Sequence, residues 1–389
     1  MGVMTTVATG TLGPNEHLIG RPGSRYELDT PAVVIDLDRL DANIATMAAH
    51  AQAGGYALRP PVKIHKCSTI AARQVAAGAL GMCCSTVYEA EVCVRAGLPG
   101  TMIFNIVRSQ PKLDRIARLN RLTEDLIVAT DHDDHVTELE QVARTSGRPL
   151  AVMIDVEVGG GRTGMADRAE ILRLARRIAD SSVLTFAGVQ GYVGNHQNHP
   201  DLHERAQMSR DYLADFIPLV EELKSVGLTP QVVTGGGTGT HDIDHELGVF
   251  TEIQAGSYVF GDVNYRHAQL RRDVHRPFAE SMMVHTKVIS ASQPGFVITD
   301  AGTKEINGYS SPVVPIITGG APAGATYSLV GDDMGRVDFA LPGETLAVGD
   351  RVEVLPPHAF QTITHYRVYH VVQGDTLIDI WPIDALMHW

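Results

Sequence analysis

The chain has 389 residues, with 45 Asp and Glu against 32 Lys and Arg, which gives a formal net charge of −13 at pH 7. This length exceeds the roughly 250 to 300 residues at which a single hydrophobic core stops growing, so one large and one smaller domain are predicted. The acidic balance without a long Lys or Arg run argues against a nucleic-acid partner, and the lack of an apolar run of roughly 20 residues argues against a membrane.

Residues 1–30 are interpreted as an N-terminal arm that is either mobile or packed on a neighbouring domain, for which a C-terminal β domain is the candidate. They are rich in Gly, Thr and Pro and lack the basic start and apolar stretch of a secretion signal. The four cysteines, Cys67, Cys83, Cys84 and Cys93, show neither CxxC spacing nor a long-range pairing pattern, which fits reduced thiols. We therefore expect a cytoplasmic protein.

From residue 32 onward, short apolar strands alternate with helical patterns at a spacing of roughly 25 residues, which is typical of βα units. A first strand is predicted at 32–37, with a helix from about Asp38. Eight further strands are predicted at 56–63, 81–85, 101–107, 125–131, 150–158, 184–193, 231–234 and 252–255. They predict a (β/α)8 TIM barrel over residues 31–271. A doubly wound sheet is the alternative, but its GxGxxG turn is absent.

Helical periodicity is clearest at residues 87–96, 168–180 and 203–225. After about residue 272 the pattern changes to short strands broken by Gly and Pro. These strands are predicted at 281–290, 295–299, 313–318, 326–330, 351–355, 365–372 and 376–381. The fold class is therefore α/β, with a TIM barrel followed by a C-terminal β domain over residues 272–389.

Lys63 is the most informative single residue, because it is predicted at the mouth of the first barrel strand. Alone it would more often be a surface lysine, but burial beside Arg59 or Lys66 would lower its pKa and make it a nucleophile near neutral pH. Other strand ends bring further polar residues to the same mouth, where TIM barrels carry their chemistry. These are Asp155, Glu157 and Arg162 after the fifth strand, and Gln190, Tyr192 and His196 after the sixth.

Two small-residue segments follow the last two barrel strands. Residues 235–239, within VVTGGGTGT, and residues 254–258, QAGSY, allow backbone amides to approach a phosphate closely. A reactive lysine beside a phosphate cradle suggests pyridoxal phosphate as the cofactor.

Several motifs together resemble one enzyme family. They are LRPPVKIHK (58–66), VEVGGGRTGM (156–165), VQGYVG (189–194), TGGGTGT (234–240) and EIQAGSYVFGD (252–262), followed by TDAGTKE (299–305) and WPI (381–383). In this order they resemble the D-threonine aldolase and D-serine dehydratase family, which includes 3-hydroxy-D-aspartate aldolases. The resemblance covers nearly the whole chain from Thr30.

The resemblance implies a fold type III pyridoxal-phosphate enzyme with an alanine racemase-like barrel. It also implies a homodimer whose sites lie where the barrel of one subunit meets the β domain of the other. Lys63 matches the Schiff-base lysine, Arg162 an arginine near the cofactor ring, and Tyr192 a tyrosine close to that ring. The phosphate-binding positions are matched by Gly236, Gly237, Thr238, Gly256, Ser257 and Tyr258.

One segment departs from the family pattern. Members that act on β-hydroxy substrates hold a divalent metal through a histidine and, two residues on, a cysteine or aspartate, whereas here His358 is followed by Phe360. A family EHG segment also reads DMG at 333–335. Because phenylalanine cannot ligate, we expect a metal to be absent or weakly bound, unless other groups such as His365 hold it. His358 is then either a metal-free general base or a structural histidine.

The expected activity is cleavage of D-β-hydroxy amino acids to glycine and an aldehyde, with Lys63, Tyr192 and His358 as catalytic residues. His358, Tyr192 and His196 are the candidate bases for the β-hydroxyl proton. The alternatives are a D-serine or 3-hydroxyaspartate dehydratase, an amino-acid racemase, or a non-catalytic pyridoxal-phosphate carrier, which the β domain disfavours. Histidine clusters such as His132 with His135 and His241 with His245 are interpreted as solvated surface residues.

Overall fold

The computed structural model describes residues 12–308 and 313–386, which form two compact units. The barrel unit contains residues 41–279 and 384–386, and the β unit contains residues 12–40 and 280–383. None of the helices in these described ranges is long and apolar enough to span a bilayer.

The elements up to the end of the barrel alternate between strands and helices. They are β1 (Ala32–Asp36), α1 (Leu37–Gly54), β2 (Ala57–Leu58), α2 (Ser68–Ala76), β3 (Cys83–Cys84), α3 (Val87–Arg95), β4 (Met102–Ile103), α4 (Gln110–Leu122), β5 (Ile127–Thr130), α5 (Asp133–Ser146), β6 (Leu150–Asp155), α6 (Arg168–Ala179), β7 (Leu184–Gly191), α7 (Leu202–Tyr212), α8 (Phe216–Ser225), β8 (Val232–Gly235), α9 (His241–Asp244) and β9 (Glu252–Ile253). Every predicted barrel strand overlaps an observed one, although most observed strands are shorter than predicted.

The barrel is one parallel sheet of eight strands in the order β2-β9-β8-β7-β6-β5-β4-β3 among the described residues. A parallel bridge between Pro61 and Cys83 joins the region after β2 to β3 and closes the cylinder. Buried Met102, Phe104 and Met153 pack with Cys83 in the core between the strands. This confirms the predicted (β/α)8 barrel, in which strand ends on one face share a mouth.

The helix predicted over 203–225 is two helices, α7 and α8, separated at residues 213–215. Pro218 explains the break. In a continuous helix its ring would clash with the carbonyl of Ala214 and its missing N–H would remove a hydrogen bond. In the first turn of α8, the same proline is tolerated because amides there have no intrahelical acceptor.

The β unit is a mostly antiparallel sheet. Its strands after residue 280 are β10 (Met282–Ser290), β11 (Phe296–Thr299), β12 (Ile316–Gly319), β13 (Thr326–Leu329), β14 (Gly335–Asp338), β15 (Arg351–Leu355), β16 (Val368–Gln373) and β17 (Thr376–Pro382), with the one-turn helix α10 (Ala359–Thr362) before β16. The main order is β13-β14-β11-β10-β1-β16-β17, and β15 pairs with both β10 and β12. Sequence analysis missed β14, a four-residue strand that lies between β11 and β13.

The strand β1 pairs with β10 and β16, so it belongs to the β unit, whereas the sequence-based boundary at residue 31 placed it with the barrel. All five of its residues are buried, as expected of a strand in the middle of a sheet. At the other boundary, Asn43 of α1 hydrogen-bonds the backbone of Ala279, which keeps the chain with the barrel unit beyond residue 271.

The described part of the N-terminal arm, residues 12–30, packs on the β unit. The Gly20 amide donates to the Leu377 carbonyl at 2.8 Å, and Ser24 Oγ accepts from the Leu377 amide at 2.8 Å. Arg25 also pairs with Glu353 at 3.2 Å. Residues 1–11 of the predicted arm lie outside the described residues.

Candidate active site

Lys63 lies in a one-turn 3-10 helix, Val62–Ile64, that follows β2. The prediction that it ends a strand over 56–63 is therefore wrong. Pro60 and Pro61 have no amide to donate, so the ladder stops at Leu58 and the chain turns before the lysine. The turn still places Lys63 beyond the end of β2, on the catalytic face of the barrel.

The Lys63 side chain is half-buried beside an aromatic ring. Its Nζ lies 5.5 Å from the centroid of the Phe104 ring and makes no hydrogen bond within the described residues. Burial lowers its pKa below the ordinary value, and the positive charges of Arg162 and Lys66 act in the same direction. Arg59, which was expected to contribute, instead forms a bidentate ion pair with Glu252 at 2.8 and 2.9 Å.

Arg162 and Tyr192 form a stacked pair beside this lysine. Arg162 lies in the loop after β6, and its guanidinium carbon is 4.8 Å from the ring centroid of Tyr192, which follows β7. The Glu157 carboxylate shapes the loop by accepting from the amides of Gly159, Gly161 and Arg162. Burial raises the pKa of Tyr192, partly offset by Arg162, so its hydroxyl stays protonated at neutral pH.

The glycine loop after β8 has a conformation that requires small residues. Gly236 has φ +62°, and a Cβ there would lie 2.6 Å from Asp244 Oδ2. A Cβ on Gly239 would lie 1.6 Å from the carbonyl oxygen of Gln197. Two of the loop amides are held by side chains, because Gly237 N donates to Thr240 Oγ1 at 3.2 Å and Gly239 N to Gln197 Oε1 at 2.9 Å.

The second loop joins the first. The Tyr258 amide donates to Thr238 Oγ1 at 3.2 Å, while the buried Tyr258 hydroxyl accepts from Gln74 of α2 at 2.9 Å. Within the described residues, the amides of Thr238, Gly256 and Ser257 make no hydrogen bond. These amides are donors that fit a phosphate group.

A polar chain crosses the barrel interior below the mouth. Gln190 Nε2 donates to Asp155 Oδ1 at 2.8 Å, and Gln254 Nε2 donates to Gln190 Oε1 at 3.0 Å. Thr163 Oγ1 donates to the other oxygen of Asp155 at 2.7 Å. Asp155 and Gln190, which sequence analysis placed at the mouth, therefore hold adjacent strand ends together.

The position of His196 does not favour its predicted role as the base for the substrate β-hydroxyl. Its side chain contacts α7 among the described residues, with Nε2 2.8 Å from Ser209 Oγ and the ring tilted against Tyr212. Burial lowers its pKa to about 4, so it is neutral at physiological pH. Two of the histidines expected at the surface, His135 and His241, are also fully buried. Their polar neighbours in sequence concealed this, because burial is set by distant segments.

His358 lies in the β unit, directly before α10, with the Phe360 ring edge-on to its imidazole at a centroid distance of 5.8 Å. The phenylalanine contributes no donor atom, and His365 is exposed. Across the described residues, no three His, Cys, Asp or Glu side chains come together as a metal site. The donor set at this position does not fit a divalent metal held in the family manner.

Sequence analysis missed several residues around the phosphate cradle. A small cleft is lined by Thr238, Ser257, Tyr258, Gly261, Asp262, Tyr265, Arg266, Leu270, Arg276 and Phe278. The Tyr265 hydroxyl hydrogen-bonds Ser257 and lies near Tyr192, and His241 Nδ1 donates to the Thr238 carbonyl at 2.7 Å. No periodic or motif signal in the sequence distinguishes Arg276, because the chain reaches the cleft only through tertiary folding.

Comparison with known proteins agrees with this arrangement. Residues 35–264 match the family described as alanine racemase, N-terminal domain, and residues 281–372 match the putative serine dehydratase domain. The fold and site thus define a fold type III barrel enzyme with an appended β unit.

Two curated relatives and one solved structure narrow this class. The chain is 35% identical to D-threonine aldolase from Arthrobacter sp. (92% of this chain, 93% of that one) and 30% identical to 3-hydroxy-D-aspartate aldolase from Paracoccus denitrificans strain Pd 1222 (92% of each). The crystal structure of D-threonine aldolase from Filomicrobium marinum matches with a TM-score of 0.86 at 31% identity, over 92% of this chain and 96% of that one. The chain belongs to the D-threonine aldolase and D-serine dehydratase-like family.

Proposed function

We propose that this protein is a pyridoxal-phosphate-dependent lyase that cleaves the Cα–Cβ bond of a D-β-hydroxy amino acid, giving glycine and an aldehyde. The observation that carries the proposal is the half-buried Lys63 amine, which lies under the charge of Arg162 and whose neighbours Pro61 and Ile64 pack against Gly256 of the second small-residue loop. The 35% identity to a D-threonine aldolase over nearly the full length supports this reaction over others.

In this proposal Lys63 bonds the cofactor aldehyde, Arg162 and Tyr192 flank its ring, and the amides of Thr238, Gly256 and Ser257 bind its phosphate. When bound, pyridoxal phosphate withdraws electrons from the Cα of the amino acid. Lys63 is suited to its role because a lysine with a lowered pKa is more often neutral and nucleophilic.

Cleavage also requires a base that takes the proton of the substrate β-hydroxyl. Tyr192 is poorly suited, because burial raises its pKa and keeps its hydroxyl protonated. His196 is a weak base, because burial lowers its pKa to about 4. His358 is therefore the proposed base, since a neutral imidazole has a ring nitrogen that can accept a proton. Tyr192 is proposed to orient its neighbours through its hydroxyl.

The test is product analysis. Purified protein reconstituted with pyridoxal phosphate is incubated with D-threonine, D-phenylserine, D-serine and D-alanine. Glycine plus an aldehyde from D-threonine or D-phenylserine is the expected result. If protein that holds the cofactor turns over neither of these two substrates, the aldolase assignment is wrong.

A dehydratase or racemase is the second candidate. The match of residues 281–372 to the putative serine dehydratase domain favours it, and a neutral Lys63 could remove the Cα proton. A keto acid from D-serine would indicate a dehydratase, and L-alanine from D-alanine a racemase. Bound cofactor whose absorbance no amino acid perturbs would indicate a carrier.

Turnover without a divalent metal is part of the proposal, because Phe360 stands where a second ligand is needed. We expect chelator treatment to leave the rate unchanged. We expect Phe360→Asp to acquire a bound divalent ion beside His358, measured by elemental analysis, whereas Phe360→Leu acquires none. Loss of wild-type turnover on chelation would contradict this part.

We also propose a cytoplasmic homodimer. The four cysteines are unpaired and buried, which supports a reducing compartment. Light scattering should give twice the 42.0 kDa of one chain. A monomeric mass in active protein would remove the dimer from the proposal.

A further inference from the structure

The cleft beside the two small-residue loops contains two arginines that no motif of the sequence singled out. Arg266 follows the 3-10 helix Val263–Tyr265, and Arg276 lies on an exposed segment before Phe278. Both line the same cleft as Thr238 and Ser257. Each also interacts with neighbouring protein groups, so the fold restrains both side chains.

The loops themselves supply little positive charge. A helix attracts anions at its N-terminus because aligned peptide dipoles add along its length. Here α9 has four residues and the 3-10 helix Ser257–Val259 has three, so this contribution is small. The amides of Gly237 and Gly239 are also already bonded to Thr240 and Gln197. The loops can therefore orient a phosphate through neutral N–H donors, but they do not balance its negative charge.

The rest of the lining increases the need for cations. A phosphate monoester carries about −1.5 to −2 charge at neutral pH. Asp262 adds a carboxylate to the cleft wall, held by the amide and side-chain nitrogens of Asn264 at 3.0 and 2.9 Å. Burying an anion without opposite charge is costly. Among the ten described lining residues, Arg266 and Arg276 are the cations.

We propose that Arg266 and Arg276 are phosphate-binding residues that pair electrostatically with the phosphate monoester of the cofactor, while the glycine and serine loops fix its direction. The identity of the ester as pyridoxal phosphate rests on the proposed function. The charge argument itself applies to any phosphate dianion. The two arginines then let the protein distinguish pyridoxal phosphate from pyridoxal, which has the same ring and aldehyde.

The first experiment titrates full-length apoprotein with pyridoxal phosphate and with pyridoxal, following visible absorbance. We expect Arg266→Gln and Arg276→Gln each to weaken binding of the phosphorylated form about tenfold, and the double variant about a hundredfold, because each charge-assisted contact contributes on that order. Pyridoxal affinity should change less than about twofold, and lysine at either position should restore most of the loss. Arg272→Gln is the matched control, because Arg272 pairs with Glu246 and does not line the cleft.

The second experiment measures how inorganic phosphate shifts the thermal unfolding of apoprotein, compared with chloride at equal ionic strength. Wild type should be stabilised and the double variant should not. If wild type binds phosphate through the arginines but forms no adduct with pyridoxal phosphate, the proposed function fails and this inference stands. If the folded double variant keeps wild-type affinity for pyridoxal phosphate, this inference is overturned and the proposed function stands. Because Arg276 is exposed, its single variant decides the outcome even if Arg266→Gln does not fold.

Discussion

The barrel unit and the β unit differ in how fully their residues match the family pattern. In the barrel unit, Lys63, Arg162 and Tyr192 are all present, and the glycine loop is fixed by Gln197 and Thr240. In the β unit, His358 is present but faces Phe360 instead of a second ligand. The residues that would hold the cofactor thus match the family pattern, whereas the metal position does not.

The proposed cofactor site of the barrel unit depends on Lys63. Lys63→Ala should abolish the covalent cofactor adduct and lower turnover by at least about 10³-fold, since it removes the nucleophile. Visible absorbance before and after borohydride reduction measures the adduct. Lys66→Ala is the control, because Lys66 pairs with Glu89 at 3.3 Å, and it should keep the adduct. A reducible adduct in the Lys63 variant would remove this lysine from its role.

The proposed catalytic contribution of the β unit depends on His358. His358→Ala should lower aldol cleavage about 10²-fold while cofactor absorbance stays unchanged, because the variant loses a base and no cofactor contact. Turnover and absorbance are measured on the same preparation. His365→Ala, a change to an exposed histidine of the same segment, should have no effect. Unchanged turnover in the His358 variant would assign this histidine to structure.

The two units were also predictable from sequence to different degrees. The barrel strands alternate regularly with helices, so all eight were found, and Lys63 follows directly from its motif. In the β unit, Gly335–Asp338 has four residues and only Val337 among them is strongly apolar, so local pattern did not reveal β14. Its position between β11 and β13 comes from long-range pairing.

The site was predictable where a motif marks it and not where distant segments meet. Arg266 and Arg276 reach the cleft from two separate stretches of chain, and His241 is buried although its sequence neighbours are acidic. The pairing of Arg59 with Glu252 likewise joins β9 to the segment after β2, so sequence proximity to Lys63 was misleading. The break at Pro218, in contrast, could have been read from the proline itself.

A variant of Tyr192 tests whether this residue orients its neighbours or accepts a proton. Tyr192→Phe keeps the ring under Arg162 and removes only the hydroxyl, so turnover should fall about tenfold or less. Because the raised pKa keeps this hydroxyl protonated, the acidic and neutral limbs of the pH–rate profile should not move. Loss of a limb, or a much larger fall in turnover, would make Tyr192 the proton acceptor and weaken the assignment to His358.

The smallest expected effect concerns the carboxylate under the glycine loop. Burial raises the pKa of Asp244 from its ordinary 3.8 to about 6, although hydrogen bonds from Thr240 and Ser209 oppose the shift. An acid with a raised folded-state pKa favours the folded state most below its unfolded value, and that contribution is lost as pH rises through the folded value. Wild type should therefore lose about 1 kcal/mol of unfolding free energy relative to Asp244→Asn between about pH 5 and pH 7.5.

Asp242, two residues away in the same helix, has a pKa that is shifted in the opposite direction. Its burial also raises the pKa, but hydrogen bonds from His50 and the Arg272 amide outweigh this and lower it. Its stabilising contribution is present above the unfolded value and is lost only as pH falls through the lower folded value, so Asp242→Asn should not reproduce the trend. Urea unfolding of both variants at the two pH values measures the difference. Equal slopes would mean that Asp244 is ionised as readily as Asp242, and that the glycine loop rests on a charged rather than a largely neutral carboxyl group at mildly acidic pH.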